Sequence, residues 1–251
     1  MILAGDIISN KKLTAGYAIY SMKIYAPKIA KEAKPGQFLH IKCDGLTLRR
    51  PVSIAGAENG QIELCYEVRG RGTAWMAKLS GGDKIDLIGP LGNGFDISDA
   101  SKKVMLAGGG VGVFPLCFAA GVFGENAVAV LGFKTKGLVT CEKEFAKHKS
   151  EVYIATDDGS YGKKGFVTEA VKEVLDSRET ELILTCGPKI MMEAVASEAA
   201  KRNIRCQVSM EERMACGVGA CLACVCRVKG TSKRVCADGP VFEGGEVDWE
   251  W

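Results

Sequence analysis

Two residue types that drive much enzyme chemistry are scarce here. The chain has only two histidines, His40 and His148, in unrelated segments. No Ser/His/Asp or Cys/His set for nucleophilic catalysis therefore presents itself, and both histidines are expected to be non-catalytic. A surplus of one charge is also missing. Lys and Arg number 33 against 30 Asp and Glu, and the resulting +3 is too small and too scattered to mark a nucleic-acid surface. No apolar run approaches the roughly 20 residues needed to span a bilayer. The chain opens with neither a basic n-region nor an apolar h-region, and a cytoplasmic location is the expectation. There is no internal repeat and no low-complexity linker.

Glycine and cysteine, in contrast, are plentiful, with 31 and 11 residues. Many glycines sit at turns or in short clusters, as expected where backbone must approach bound cofactors. The most organised stretch runs from Met214 to Cys226, with Cys236 beyond it. Cys216, Cys221, Cys224 and Cys236 follow a C-x4-C-x2-C spacing, then eleven residues, then the fourth Cys. That is the plant-type ferredoxin rhythm for a [2Fe–2S] cluster held by four thiolates. Gly217, Gly219 and Ala220 leave backbone N–H groups free to point at sulfur. Four thiolates also satisfy tetrahedral zinc, although zinc ribbons usually offer two paired C-x2-C hooks. A disulfide framework is disfavoured in a long chain read as cytosolic. Cys226 reads as a buried small residue on the strand leaving the loop, the alternative being that it replaces a neighbour as ligand. Cys43, Cys65, Cys117 and Cys141 read as isolated buried small residues.

A length of 251 residues suggests two domains, or two plus a small module, and 47% hydrophobic residues can supply real cores. Residues 1–98 alternate with period two over 37–41, 61–68 and 83–88, between Gly, Pro and Asn turns. Antiparallel strands forming a small β-barrel are predicted, with a helix near 72–79. Over 99–209, apolar strands at 104–107, 127–131, 152–155 and 182–185 alternate with helical segments. Val167, Ala170, Val171, Val174 and Leu175 mark one helix face, and a further helix is predicted from 190 to 202. This is an α/β, Rossmann-like parallel sheet. Residues 210–251 form the Cys-rich module.

Several motifs carry chemistry on these elements. Arg50-Pro51-Val52-Ser53 lies on a barrel strand, where Arg50 offers a planar fork suited to pyrophosphate and Ser53 a hydroxyl. Gly72-Thr73 opens a plausible helix, where an anion can be received. Gly108-Gly109-Gly110-Val111-Gly112 follows a strand and opens a helix, the context of a dinucleotide-binding loop, although Val113 stands at the third Gly position. Lys134 and Lys136, with no acidic residue, follow the second strand, so NAD and NADP both remain open. Cys186-Gly187-Pro188 ends the last apolar strand, where a Cys can touch a nicotinamide ring. Asp157 to Ser160 ends the strand before it and reads as a polar loop. Cofactors rather than side chains would then supply the difficult chemistry.

In this order the motifs resemble the ferredoxin–NADP reductase superfamily over residues 1–205, whose Arg-x-Tyr-Ser strand, Gly-rich turn and Cys-Gly-Pro turn they match. Val52 departs from the aromatic residue that many members place against flavin. The tail, Glu211 to Cys221 and Val235 to Phe242, resembles the electron-transfer subunit of NAD-dependent (class 1B) dihydroorotate dehydrogenase. The resemblance implies an FAD-binding barrel, an NAD-binding α/β domain and a [2Fe–2S] module. It implies that Arg50 and Ser53 hold FAD with Pro51 and Val52 beside them, that Tyr66, Glu67 and Val68 line it, and that Gly72-Thr73 takes the pyrophosphate. It further implies a partner subunit carrying FMN and the dihydroorotate site, in a heterotetramer of two of each, with electrons passing through the cluster and FAD to NAD⁺ in pyrimidine biosynthesis. The alternative within the superfamily is a small subunit of a ferredoxin–NADP transhydrogenase. A zinc-stapled nucleotide-binding regulator is the alternative outside it.

Overall fold

Alternating side chains and tight turns organise the first third of the chain into antiparallel strands. The structure of the protein, a computed structural model, describes residues 2–251. Its first unit contains β1 (Ile2–Lys12), β2 (Ile19–Tyr25), α1 (Pro27–Glu32), β3 (Phe38–Ile41), β4 (Arg50–Glu58), β5 (Gln61–Glu67), α2 (Arg71–Met76) and β6 (Lys84–Leu91). The strands close into a barrel in the order β1-β2-β5-β4-β3-β6, which leaves no open sheet edge. Along β5 the expected period is visible: Ile62, Leu64 and Tyr66 face the core while Gln61, Glu63, Cys65 and Glu67 are half-buried.

β3 breaks the expected alternation, because all four of its residues are buried. Leu39 and Ile41 fill the barrel interior. The opposite face is roofed by the C-terminal segment. Phe38 shares an apolar cluster with Cys224 and Cys236, and the ring of His40 lies against Gly217.

The second unit contains β7 (Val104–Gly109), α3 (Val113–Phe123), β8 (Ala127–Phe133), α4 (Glu142–Lys147), β9 (Glu151–Thr156), β10 (Lys163–Lys164), α5 (Val167–Ser177), β11 (Leu182–Cys186), α6 (Lys189–Lys201) and β12 (Arg205–Ser209). The strands from β7 to β12 pair in parallel. The parallel strands run in the order β10-β9-β8-β7-β11-β12, so the winding reverses between β7 and β11 and opens a crevice at their carboxyl ends. The helix face foreseen on α5 is the buried one. α3 is apolar on nearly every side because it is enclosed twice: Phe114 and Leu116 pack in one cluster with strand residues Leu106 and Leu184 and with Ile19 and Ala55 of the barrel.

The last stretch forms a hairpin of β13 (Val225–Val228) and β14 (Thr231–Arg234), then β15 (Val241–Glu243). β15 pairs antiparallel with β12, so the Cys-rich segment is stitched into the edge of the α/β sheet. It is also tied to the barrel, where Asn93 N–H donates to the Gly239 carbonyl at 2.6 Å. Among the described residues no helix is long and apolar enough to cross a membrane.

Candidate redox centre and nucleotide crevice

The loop from Cys216 to Cys224 has to expose backbone N–H groups on its inner side, and left-handed Gly217 (φ 72°) provides the turn. Val218 N–H and Ala220 N–H donate to Cys216 Sγ at 3.4 and 3.3 Å. Gly219 N–H donates to Cys236 Sγ at 3.1 Å, and Cys236 N–H to Cys224 Sγ at 3.4 Å. All four spaced cysteines are therefore part of one loop-and-hairpin unit, with Cys221 exposed and Cys224 and Cys236 buried. Burial pushes the Cys216 thiol up, but donors from Val218, Cys221 and Ala220 outweigh it and bring the thiol down to about 6. Burial and the adjoining Cys224 push Cys236 up to about 12. A buried thiol raised in this way resists ionisation by itself, and a cationic metal centre relieves that conflict. Among the described residues no three His, Cys, Asp or Glu side chains converge closely enough to cage a single ion. The fit to an iron–sulfur group rests on the four-sulfur donor set and on the N–H groups aimed at it.

Cys226 lies on β13, buried in the adjoining core, and burial pushes its thiol up to about 11. It is the buried strand residue that its position implied. Cys65, Cys117 and Cys141 depart from expectation. They are not isolated but share the cluster between barrel and α/β unit, and the Cys117 thiol together with burial pushes Cys141 well up. All eleven cysteines are free.

A clamp holds the loop to the hairpin. Arg234 Nη1 donates to the Gly219 carbonyl at 3.1 Å, and Asp238 accepts from the Arg234 main chain and guanidinium at 2.8–2.9 Å. Those hydrogen bonds hold the Asp238 carboxyl down at about 2. A carboxylate depressed in the folded state stabilises the fold above its unfolded pKa, and that contribution fades as pH falls from about 4 towards the folded value of about 2. Asp238→Asn should flatten the acid limb of a stability-versus-pH curve of the metal-free chain. An unchanged slope between pH 4 and pH 2 would show that the clamp carries no linkage.

His40 is the residue that the sequence reading set aside. The strand position that isolates it in the chain places it against the cysteine loop: a Cβ built on Gly217 would lie 2.4 Å from His40 Nδ1. The side chain is fully buried, and among the described residues neither ring nitrogen has a hydrogen-bond partner. The backbones of Cys216 and Arg49 face the ring without bonding geometry, and burial, the largest influence, lowers the pKa of the imidazole from its ordinary value. A neutral imidazole retains one N–H, and leaving it unpaired costs about 1–3 kcal/mol. The only signal in the sequence was a polar residue in an apolar strand.

On the barrel, two motifs twenty residues apart meet. The Arg50 side chain crosses Gly72, where an added Cβ would lie 2.3 Å from Arg50 Nε. Arg50 Nη1 donates to the Leu48 carbonyl at 2.6 Å. Thr73 Oγ1 caps the start of α2 by accepting from Arg69 N–H at 3.0 Å and Gly70 N–H at 3.3 Å. Pro51 is exposed, and Ser53, Glu67 and Val68 are half-buried. Val52 and Tyr66 instead lie in the barrel core. Tyr66 stacks on Tyr20 with centroids 5.7 Å apart and donates to Asn10 Oδ1 at 3.1 Å; burial pushes its phenol up to about 12.

The crevice between β7 and β11 unites the remaining motifs. Register sets Gly108 beside Cys186. Gly112 approaches the next turn so closely that a Cβ would lie 2.4 Å from the Cys186 carbonyl oxygen. Gly109 lies against Pro188 and Met191, and Gly110 begins a short 3-10 turn leading into α3. Burial pushes the Cys186 thiol up to about 12, so it stands as a neutral, apolar surface rather than a nucleophile. Lys136 N–H donates to Ser160 Oγ at 2.7 Å and its ammonium lies 5.6 Å from the centre of the Tyr161 ring, which joins the loops after β8 and β9.

Comparison with known proteins bears directly on this arrangement. Residues 211–248 match the model of the iron–sulfur cluster binding domain of dihydroorotate dehydrogenase B, and 105–197 match the oxidoreductase NAD-binding domain. The electron transfer subunit of dihydroorotate dehydrogenase B (NAD(+)) from Desulforamulus reducens is 38% identical, over 97% of this chain and 99% of its own. The namesake from Geobacillus thermodenitrificans is 44% identical over 91% and 92%. The chain belongs to this family of electron transfer subunits. A solved structure of an NADH-dependent reduced ferredoxin–NADP oxidoreductase, described in the context of flavin-based electron bifurcation, superposes with a TM-score of 0.89 at 33% identity, covering 98% of this chain and 90% of that one. Within the family frame, the matched iron–sulfur domain contains all four spaced cysteines, and the matched NAD-binding domain contains both turns of the crevice.

Proposed function

We propose that the chain is the electron transfer subunit of an NAD-dependent dihydroorotate dehydrogenase B, linking an FMN-containing catalytic subunit to NAD⁺ in pyrimidine biosynthesis. The observation that carries this reading is near full-length family membership combined with four cysteines gathered in one N–H-lined loop-and-hairpin unit. The bound groups, a [2Fe–2S] cluster and FAD, would supply the one- and two-electron chemistry. Cys216, Cys221, Cys224 and Cys236 would hold the cluster. Arg50, Ser53, Glu67, Val68 and the Gly72-Thr73 turn would hold and orient FAD, with Pro51 beside it and Val52 and Tyr66 supporting the strands from inside. Gly108, Gly109, Gly110 and Gly112 would admit the nucleotide backbone, and Cys186-Gly187 would border the nicotinamide. No side-chain acid or base is required for hydride transfer between aligned rings; the protein's contribution is alignment and exclusion of water.

The division into 1–98 for FAD, 99–209 for NAD and 210–251 for the cluster follows from this assignment. Exposed Val218 and Leu222 flank the exposed Cys221, and the apolar rim they form suits docking of the catalytic subunit in a heterotetramer of two of each. The seven cysteines outside the cluster set form no disulfide, which fits a reducing cytoplasm.

The structural likeness to the reduced ferredoxin–NADP oxidoreductase favours a second reading, a small subunit of a ferredoxin–NADP transhydrogenase. Purification with the native partner separates the two. An FMN subunit that oxidises dihydroorotate supports the first reading, and a larger subunit with several clusters supports the second. Colourless protein without flavin or acid-labile sulfide would end both. Arg50→Ala should release FAD during purification, with the flavin-to-protein ratio falling at least tenfold under gel filtration, because the cationic fork that meets the Gly72 turn is removed. A ratio equal to that of the parent protein would remove Arg50 from the flavin site.

A further inference from the structure

His40 lies outside every motif that led to the cysteines, yet its ring abuts the loop that carries them. Its side chain is fully buried, and among the described residues neither ring nitrogen has a hydrogen-bond partner. The main chain that carries the ring is held in place. β3 shifts register against β6 between Phe38 and His40, and Arg49 Nη1, ion-paired with Asp86 at 2.8 Å, donates to the His40 carbonyl at 3.3 Å. Gly217 is the residue that allows the approach, since any side chain there would collide with the imidazole.

We propose that His40 is a positioning residue for the iron–sulfur group, its ring N–H donating a hydrogen bond to sulfur at the Cys216 side of the cluster and thereby raising the cluster's reduction potential. The proposal rests on the cluster assignment made above. From Met214 to Cys224 the loop carries no Asp, Glu, Lys or Arg, so tuning from the loop itself falls to its N–H groups. Those of Val218, Gly219 and Ala220 already point at sulfur. The charged side chains beside His40, Arg49 and Arg50 on the β4 side with Asp86 on β6, belong to the barrel, while the Arg234–Asp238 pair flanks the loop at Gly219. An imidazole N–H beside Cys216 would add a donor from outside the loop. Reduction places one more negative charge on the group, and a fixed donor stabilises that state more than the oxidised one.

The test uses whole protein carrying its cofactors. In chain labelled with ¹⁵N-histidine and reduced, pulsed electron paramagnetic resonance should show a weak histidine nitrogen coupling to the cluster. The coupling should persist in His148→Gln, since that residue packs against Gly121 of α3. His40→Met should lower the potential by the equivalent of a tenfold change in the one-electron equilibrium, about 59 mV. His40→Gln, which restores an N–H, should recover part of the shift. A wild-type spectrum without histidine coupling overturns the proposal, and needs no variant to fold. A loaded His40→Met protein with the parent potential overturns it equally. Wild-type protein that lacks acid-labile sulfide refutes instead the cluster assignment beneath it.

Discussion

Cys221→Ser should abolish electron exchange with the partner subunit while NADH oxidation through FAD, read with an artificial acceptor, continues. Cys221 is the exposed ligand candidate, on the rim formed by Val218 and Leu222. The crevice bordered by Gly112 and Cys186 belongs to the α/β sheet, and Arg50 with Gly72 belongs to the barrel. Loss of one thiolate in four should reduce iron and acid-labile sulfide to background and bleach the long-wavelength absorption, with flavin retained. Loss of both activities in a folded, FAD-containing variant would contradict the separation of the two sites.

Gly112→Val should damage nucleotide binding more than any other single change in the crevice. A Cβ at this position meets the Cys186 carbonyl oxygen at 2.4 Å and Gly187 Cα at 2.7 Å. Both are backbone atoms that cannot rotate aside. Either the two turns separate or the start of α3 shifts, and overpacking of this kind costs about 1–3 kcal/mol. If about 1.4 kcal/mol of that falls on the bound complex, KM for NADH rises tenfold. FAD content should be largely retained, since the added Cβ meets the Cys186-Gly187 turn and neither Arg50 nor the Gly72-Thr73 turn. Steady-state kinetics with an artificial acceptor read the effect directly, and a parent-like KM would show that the Gly-rich turn does not carry the nucleotide.

Much of this architecture was visible in residue order. Period two along β5 and the apolar face of α5 are properties of neighbouring residues, so they could be read without knowing what they pack against. The Cys spacing was legible for the same reason, because three of four ligands must come from one loop. α3 gave no face to read, since sheet and barrel cover opposite sides of it. β3 misled, because alternation assumes one solvent-facing side and here that side is roofed by the C-terminal segment. Cys65, Cys117 and Cys141 looked solitary in sequence, yet β5, α3 and the start of α4 bring them together.

The sequence by itself determined the alternating barrel strands, the strand–helix succession after them and the spacing of the candidate cysteine and glycine sites, because periodicity, turn chemistry and ligand spacing are local. Only the tertiary structure decided that Gly112 meets Cys186, that β15 joins the β12 edge, that Tyr66 turns into the barrel, and that His40 faces Gly217. Those contacts depend on strand order and on which surfaces close over one another, and spacing along the chain encodes neither.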